Sequence, residues 1–99
     1  MSYKVVYIAL AKDDFKKAVS YYKEISSKLA NDFIARVGEA EKYLSMNPYG
    51  NDIMYKEVRM HNLHQFPYHM HYQVLEDQKQ IVVLAIQFSK RGDLDFSGR

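Results

Sequence analysis

The stretch Phe66-Pro67-Tyr68-His69-Met70-His71-Tyr72-Gln73-Val74-Leu75, with Glu76-Asp77-Gln78-Lys79-Gln80 and Ile81-Val82-Val83-Leu84-Ala85-Ile86 after it, decides how the chain is read. Its first part alternates. In an extended strand Tyr68, Met70, Tyr72 and Val74 share one face, and His69, His71 and Gln73 share the other. The middle is polar and can turn. The last part is apolar at every position, which suits a central strand covered on both sides. The stretch therefore reads as a β-hairpin whose second strand lies deep in a sheet. The chemistry to explain stands on the polar face of its first strand.

Upstream, Tyr3 to Ala11 is dense in β-branched and aromatic residues and reads as a strand. From Lys12 to Ile25 the period changes. Phe15, Val19, Tyr22 and Ile25 recur at spacings of four and three, one face of a helix. Asp13 and Asp14 stand where acids favour a helix start. Ser26-Ser27 interrupts, and Ser27 can cap a second helix from about Lys28 to Met46. Its stripe is Leu29, Phe33, Val37, Ala40 and Leu44. Asn47-Pro48 stops it, since proline cannot continue a helix. The two stripes imply a helical hairpin packed on a sheet. Ile53 to Met60 reads as the next strand. Met54, Val58 and Met60 are expected inward, and Tyr55, Glu57, Arg59 and His61 outward, with a register that one slip would invert. The fold class is α+β, in the order β-α-α-β-β-β, a helical hairpin on an antiparallel-rich sheet.

Ninety-nine residues make one domain, residues 1–99, long enough for a modest core of its own. The chain has no cysteine, which excludes disulfides and thiolate zinc sites and fits a cytoplasmic protein. Val5 to Ala11 is too short an apolar run for a signal peptide, and nothing approaches the ~20 apolar residues of a membrane span. A net charge of +2 is that of an ordinary solvated surface and does not announce a nucleic-acid binder.

Beyond the helices and the hairpin, certain residues carry a likeness. They are Ala18-Val19, Tyr21-Tyr22 and Asn47-Pro48, then Val58-Arg59, Leu63, Phe66-Pro67-Tyr68, Tyr72 and Ala85-Ile86, and in the tail Arg91, Phe96 and Arg99. With this element order the chain resembles the RelE/ParE superfamily of bacterial type II toxin–antitoxin toxins over nearly its whole length. It departs from many relatives at Phe88, where they carry histidine, at Asp93, where they carry proline, and at Phe96, where tryptophan is usual.

The resemblance implies a growth-arresting toxin, of the kind found in plasmid-stabilization modules, held silent by a cognate antitoxin in a hetero-oligomer. It implies one of two activities. RelE-like members cut mRNA on the ribosome, and ParE-like members inhibit DNA gyrase by binding. Metal-free RNA cleavage needs a base for the 2′-hydroxyl, cations for the phosphorane and an acid for the leaving oxygen. Carried over from RelE-like sites, Lys56 matches a strand lysine and Arg91 the tail arginine. A second lysine is replaced by Val58, the arginine after Tyr68 by His69, and the terminal tyrosine by Phe96 or Ser97. With half the set kept, the resemblance favours the ParE-like inhibitor. The alternative is a RelE-like endonuclease with Lys56, His69 and Arg91 as catalytic residues, and a third reading is a non-toxic relative that still binds antitoxin.

Arg59, His71 and Arg99 are the candidate binding residues, where guanidinium would meet an acidic antitoxin segment or phosphate. The plainer reading pairs Arg59 and Arg91 with neighbouring acids and leaves the histidines as surface contacts. His69 and His71, with His61 or His64, have spacing that strand ligands can use, but no carboxylate is paired with them, so neither metal nor cofactor is expected. Tyr22, Tyr68 and Tyr72 lie on core stripes and read as packing residues.

Overall fold

The hairpin read from Phe66 to Ile86 is present. β4 (Tyr68–Leu75) and β5 (Gln80–Phe88) are antiparallel neighbours joined by a short 3-10 turn, Glu76–Gln78. The computed structural model describes residues 2–89, so the expectations for Arg91, Phe96 and Arg99 lie outside the described residues. Ahead of the hairpin come β1 (Lys4–Tyr7), α1 (Ala9–Ile25), α2 (Ser27–Met46), β2 (Ile53–Tyr55) and β3 (Val58–Asn62). The sheet order is β1-β5-β4-β3-β2. β1 pairs parallel with β5, and the other pairs are antiparallel. The α+β class, with two helices on a mostly antiparallel sheet, is as the sequence implies.

The alternation in β4 is kept. Met70 and Tyr72 are fully buried, and Tyr68 and Val74 pack against the same core under the helices. Phe33 of α2 sits at the centre of that core. Its ring lies 5.3 Å from Phe66, 5.2 Å from Tyr68 and 5.5 Å from Tyr22, mostly in edge-on or tilted contacts. Each such buried aromatic contributes roughly 1.5–3 kcal/mol through burial. Ile81, Val83 and Ile86 of β5 complete the floor.

β5 is not regular. His71 pairs with Ala85 and Tyr72 with Val83, so Leu84 is an extra residue, a β-bulge. The bulge brings Val83 and Ile86, three residues apart, to the same face, opposite Tyr72 and Met70. Ile86 joins the helix-side core, whereas Ala85 lies opposite His71.

Four details differ from the sequence reading. α1 starts at Ala9, a full turn before Asp13, because Ala9-Leu10-Ala11 are strong helix formers and β1 stops at Tyr7. Ile25 is 57% exposed, since Ala18 and Tyr22 form the inward face. Ser26, not Ser27, joins the helices. Its N–H donates to Tyr22 O at 2.8 Å, and its hydroxyl accepts from the Leu29 N–H at 3.3 Å. The span expected as one strand from Ile53 to Met60 is a second hairpin, β2–β3, turning at Lys56-Glu57.

That turn also settles the faces. Arg59 lies opposite Tyr72 and His61 opposite Met70, and directly opposed residues share a face. Arg59 and His61 therefore point to the helix side, and Val58 and Met60 to the open side, the reverse of the expected assignment.

Candidate functional site

The sheet face turned away from the helices is where the unexplained chemistry collects. β4 contributes His69, His71 and Gln73, because alternate strand residues point one way. β3 adds Met60 opposite His71 and Asn62 opposite His69. β5 adds Ala85 and Gln87. The two histidine rings are 4.8 Å apart at 64°. His71 is only 5% exposed, and Val58 at 3% and Ala85 at 0% are the other closely buried residues here.

Two hydroxyls extend the pair. The Tyr55 hydroxyl lies 2.8 Å from His71 Nδ1, and the Ser89 hydroxyl 3.3 Å from His69 Nδ1. Tyr55, His71, His69 and Ser89 thus form a continuous polar line across β2, β4 and the end of β5. Burial lowers the pKa of His69 and raises that of Tyr55. Burial thus disfavours charge on both, and in their neutral forms the His69 imidazole and the Tyr55 phenol can each accept and donate hydrogen bonds.

Of the residues singled out from sequence, His69 and His71 come together here. Lys56 stands next to Tyr55, exposed at the tip of the β2–β3 turn. Arg59 is elsewhere. Its guanidinium lies 5.0 Å from the Tyr49 ring centre and donates to the Asn51 carbonyl, on the helix side of the sheet. Arg91 and Arg99 fall outside the described residues. His61 is stacked on Tyr43 at 4.9 Å and 16°, beside Asn51, and His64 is exposed in the loop before β4. The four histidines are split between faces, and among the described residues no three potential metal ligands converge.

Tyr55 and Ser89 were not legible as members. Tyr55 is on the outward face, where the sequence reading expected it, but nothing in the sequence pairs it with His71.

The Arg59 side has its own network. Asn51 Nδ2 donates to the Tyr72 hydroxyl at 3.1 Å. The hydroxyls of Tyr49 and Tyr3 donate to Glu76 Oε1 at 2.6 and 2.7 Å, and Lys79 pairs with Glu76 Oε2. Lys79 first, then Tyr49 and Tyr3, hold the Glu76 carboxyl down at about 2. These bonds tie the chain start, the loop after α2 and the β4–β5 turn together.

Grooves lie on the helix side. One, of about 710 Å³, runs between α1 and the ends of β4 and β5 and includes Lys17, Tyr21, Ile25 and Phe88. Another, about 380 Å³ and largely apolar, is lined by Phe15, Ile34, Val37 and Gly38, with Lys12 and Lys16 at its margin. No described helix is long and apolar enough to cross a membrane.

No protein-family model matches the sequence, and no curated protein matches it. Solved structures do match the fold. A chain of the chromosomal ParDE TA system from P. aeruginosa superposes with a TM-score of 0.75 at 18% identity, covering 90% of this chain and 98% of that one. A free mutant of the E. coli toxin RelE gives 0.65 at 14%, covering 91% and 86%. A chain of the toxin-antitoxin complex RelBE2 from Mycobacterium tuberculosis gives 0.64 at 16%, covering 89% and 99%. At these identities the likeness is one of fold, and the fold is that of RelE/ParE toxins.

Proposed function

We propose that this chain, which has the RelE/ParE toxin fold, is the toxin of a type II toxin–antitoxin module and arrests growth in the ParE-like way, by binding and inhibiting a target such as DNA gyrase. The observation that carries the reading is the chemistry of the open sheet face. Cleaving RNA without a metal needs cations aimed at the phosphorane. Among the described residues, this face instead presents the imidazole pair His69 and His71, a phenol and a hydroxyl, and burial disfavours the charged form of His69. Arg59, the arginine nearest in sequence, is turned to the helix side over Tyr49. Such a face suits protein recognition better than phosphate chemistry. The ParDE superposition, higher than that with RelE, supports the same choice.

The partner is a cognate antitoxin. The groove beside Tyr21 and Ile25, both 57% exposed, has the apolar floor and the Lys17 rim that an amphipathic acidic segment fits. His71 and the face around it are a second place for such a segment to cover.

A second reading is favoured by the line from Tyr55 to Ser89. An uncharged His69 is a competent general base, and with Lys56 and Arg91 as cations the chain would be a RelE-like, ribosome-dependent mRNA endonuclease. The test uses purified chain freed of any partner. Inhibition of gyrase supercoiling, with message intact in a translating bacterial extract, is the expected result. Codon-positioned cuts that require ribosomes would overturn it in favour of the nuclease.

A further inference from the structure

The apolar groove of about 380 Å³ lies between the two helices and reaches β1. Phe15 of α1 and Ile34 and Val37 of α2 wall it. Gly38 keeps it open. A Cβ there would meet nothing within 4 Å, although glycine inside a helix is destabilising relative to alanine. The polar groups gather toward one end. The helices form a hairpin about Ser26, and Lys12 and Glu41 stand almost equally far from that joint, toward its open end. Tyr7, the last residue of β1, is there too, because α1 begins almost at once after it. Lys16 follows one turn along α1. Lys12, Lys16 and Glu41 form no ion pair with a described residue. The Tyr7 hydroxyl is buried, with no described group within hydrogen-bond distance. Burial raises its pKa, and the Glu41 carboxylate, close but beyond that distance, adds to the rise, so it stands as a phenol with a proton to donate. Buried hydroxyls are usually bonded, and this one marks a place where a polar group belongs.

We propose that this cleft binds a free amino acid with a large apolar side chain, such as phenylalanine or leucine. The side chain fills the space beside Phe15, Ile34 and Val37 that Gly38 leaves open. The α-ammonium group pairs with Glu41. The carboxylate pairs with Lys12, has Lys16 beside it, and accepts from the Tyr7 hydroxyl. Each charged group lining the cleft then has a partner of opposite sign. A fatty acid would suit the same walls but would set its carboxylate beside Glu41, and an apolar amine would meet two lysines. A zwitterion is the head group that both signs favour. The volume falls at the small end of ligand sites, which suits a molecule of this size. The cleft is separate from the His69–His71 line, and the proposal does not depend on the toxin reading.

Isothermal titration calorimetry of the full chain with L-phenylalanine is the test. Binding is expected with a dissociation constant on the order of 0.3 mM, as a ligand of this size allows. N-acetyl-L-phenylalanine lacks the ammonium charge and L-phenylalaninamide lacks the carboxylate, and each should bind about tenfold more weakly or worse. Glycine, with no side chain for the cleft, should give no heat. Gly38→Leu should abolish binding by filling the space, with a urea midpoint no lower than that of the wild type. Glu41→Gln should weaken binding about tenfold, and Tyr7→Phe about fivefold without loss of stability, since its hydroxyl bonds no described group. A folded chain that gives no heat with L-phenylalanine up to about 10 mM overturns the proposal, as does binding indifferent to Gly38→Leu or to Glu41→Gln. Phenylalaninamide binding as tightly as phenylalanine would also overturn it and assign the cleft to the amino terminus of a peptide.

Discussion

The carboxylate of Asp14 in α1 accepts the backbone N–H of Ile86 in β5 at 3.1 Å. That N–H lies just past Leu84, where β5 carries one residue more than β4. A bulge displaces ladder hydrogen bonds, and a part-buried N–H left without a partner is costly. The first helix thus supplies the bond at the point where the sheet becomes irregular. On the opposite face of the same bulge stands Ala85, across from His71.

Asp14→Ala is expected to lower stability by about 2 kcal/mol, the scale for removing a charged partner from a part-buried donor. Asp14→Asn keeps a carbonyl acceptor and should cost about half as much. Urea unfolding checks both, read as a shift in midpoint at constant slope. An unmoved midpoint for Asp14→Ala would mean that the bulge holds itself.

The β2–β3 turn should yield stability when altered. Lys56 and Glu57 have φ of 41° and 63°, the left-handed region that disfavours side chains with a Cβ. A two-residue hairpin turn with both residues there is the type that prefers Asn-Gly. Lys56→Asn/Glu57→Gly removes strain of about 1 kcal/mol per residue and returns part of it as glycine's entropy in the unfolded chain. A net gain of about 1 kcal/mol is expected, seen as a thermal midpoint raised by roughly 4–8 °C.

The same turn marks the limit of what the sequence discloses. Period two from Tyr68 to Val74 was legible because β4 is regular and each inward residue meets the core. The stripe from Leu29 to Leu44 was legible for the corresponding reason on α2. The faces of Arg59 and His61 were not. Their assignment hung on a turn built from lysine and glutamate, and missing it inverts the strand. Tyr55 was expected on the outward face and is there, but its pairing with His71 depends on strand register, which no single residue signals. Asp14 was misread because an acid near a helix start is the ordinary signal, and its real partner is 72 residues away. Periodicity supplied the element order. Neither periodicity nor the resemblance could supply register, which depends on the bulge at Leu84 and the turn at Lys56-Glu57.

Gly38 sits within α2, and a Cβ there would have nothing within 4 Å. Gly38→Ala should therefore stabilise the helix by roughly 0.5–1 kcal/mol through propensity alone. The urea midpoint reads this directly, and destabilisation would show that the groove beside it needs the glycine.

Acid should weaken the fold in two windows. Burial against Tyr43 holds the His61 pKa below 6.5, so the folded chain takes up this proton less readily than the unfolded one. The stability brought by neutral His61 is complete above that value and is lost as pH falls from 6.5 through the folded pKa. His69 adds to the same window. Glu76 acts lower. Its carboxyl is held at about 2 against an ordinary 4.5, so its contribution is present above 4.5 and lost as pH falls toward 2. Urea midpoints measured from pH 8 to pH 2 should fall in both ranges. His61→Phe, which keeps the stack on Tyr43, should shrink the upper step, and Glu76→Gln the lower. A midpoint flat through the upper window would contradict the burial of His61.

The double variant His69→Ala/Arg91→Ala separates the two activities on one molecule. If the chain inhibits gyrase through the helical hairpin, neither residue touches the target, and inhibition should stay within about threefold of wild type. If His69 is the base for a 2′-hydroxyl, its loss should cost about 10²–10⁴-fold in message cleavage, and removing a cation from the phosphorane should deepen that. Tyr55→Phe refines the outcome. It removes only the hydroxyl 2.8 Å from His71 Nδ1 and leaves the ring in place. A binding face should lose little by it, whereas a relay running from Tyr55 through His71 to His69 should show a shifted pH–rate profile. Cleavage that is absent in the wild type, with supercoiling inhibition unmoved in both variants, would place the histidine line on the antitoxin side of the molecule. The antitoxin affinity of His71→Ala should then fall while toxicity is kept.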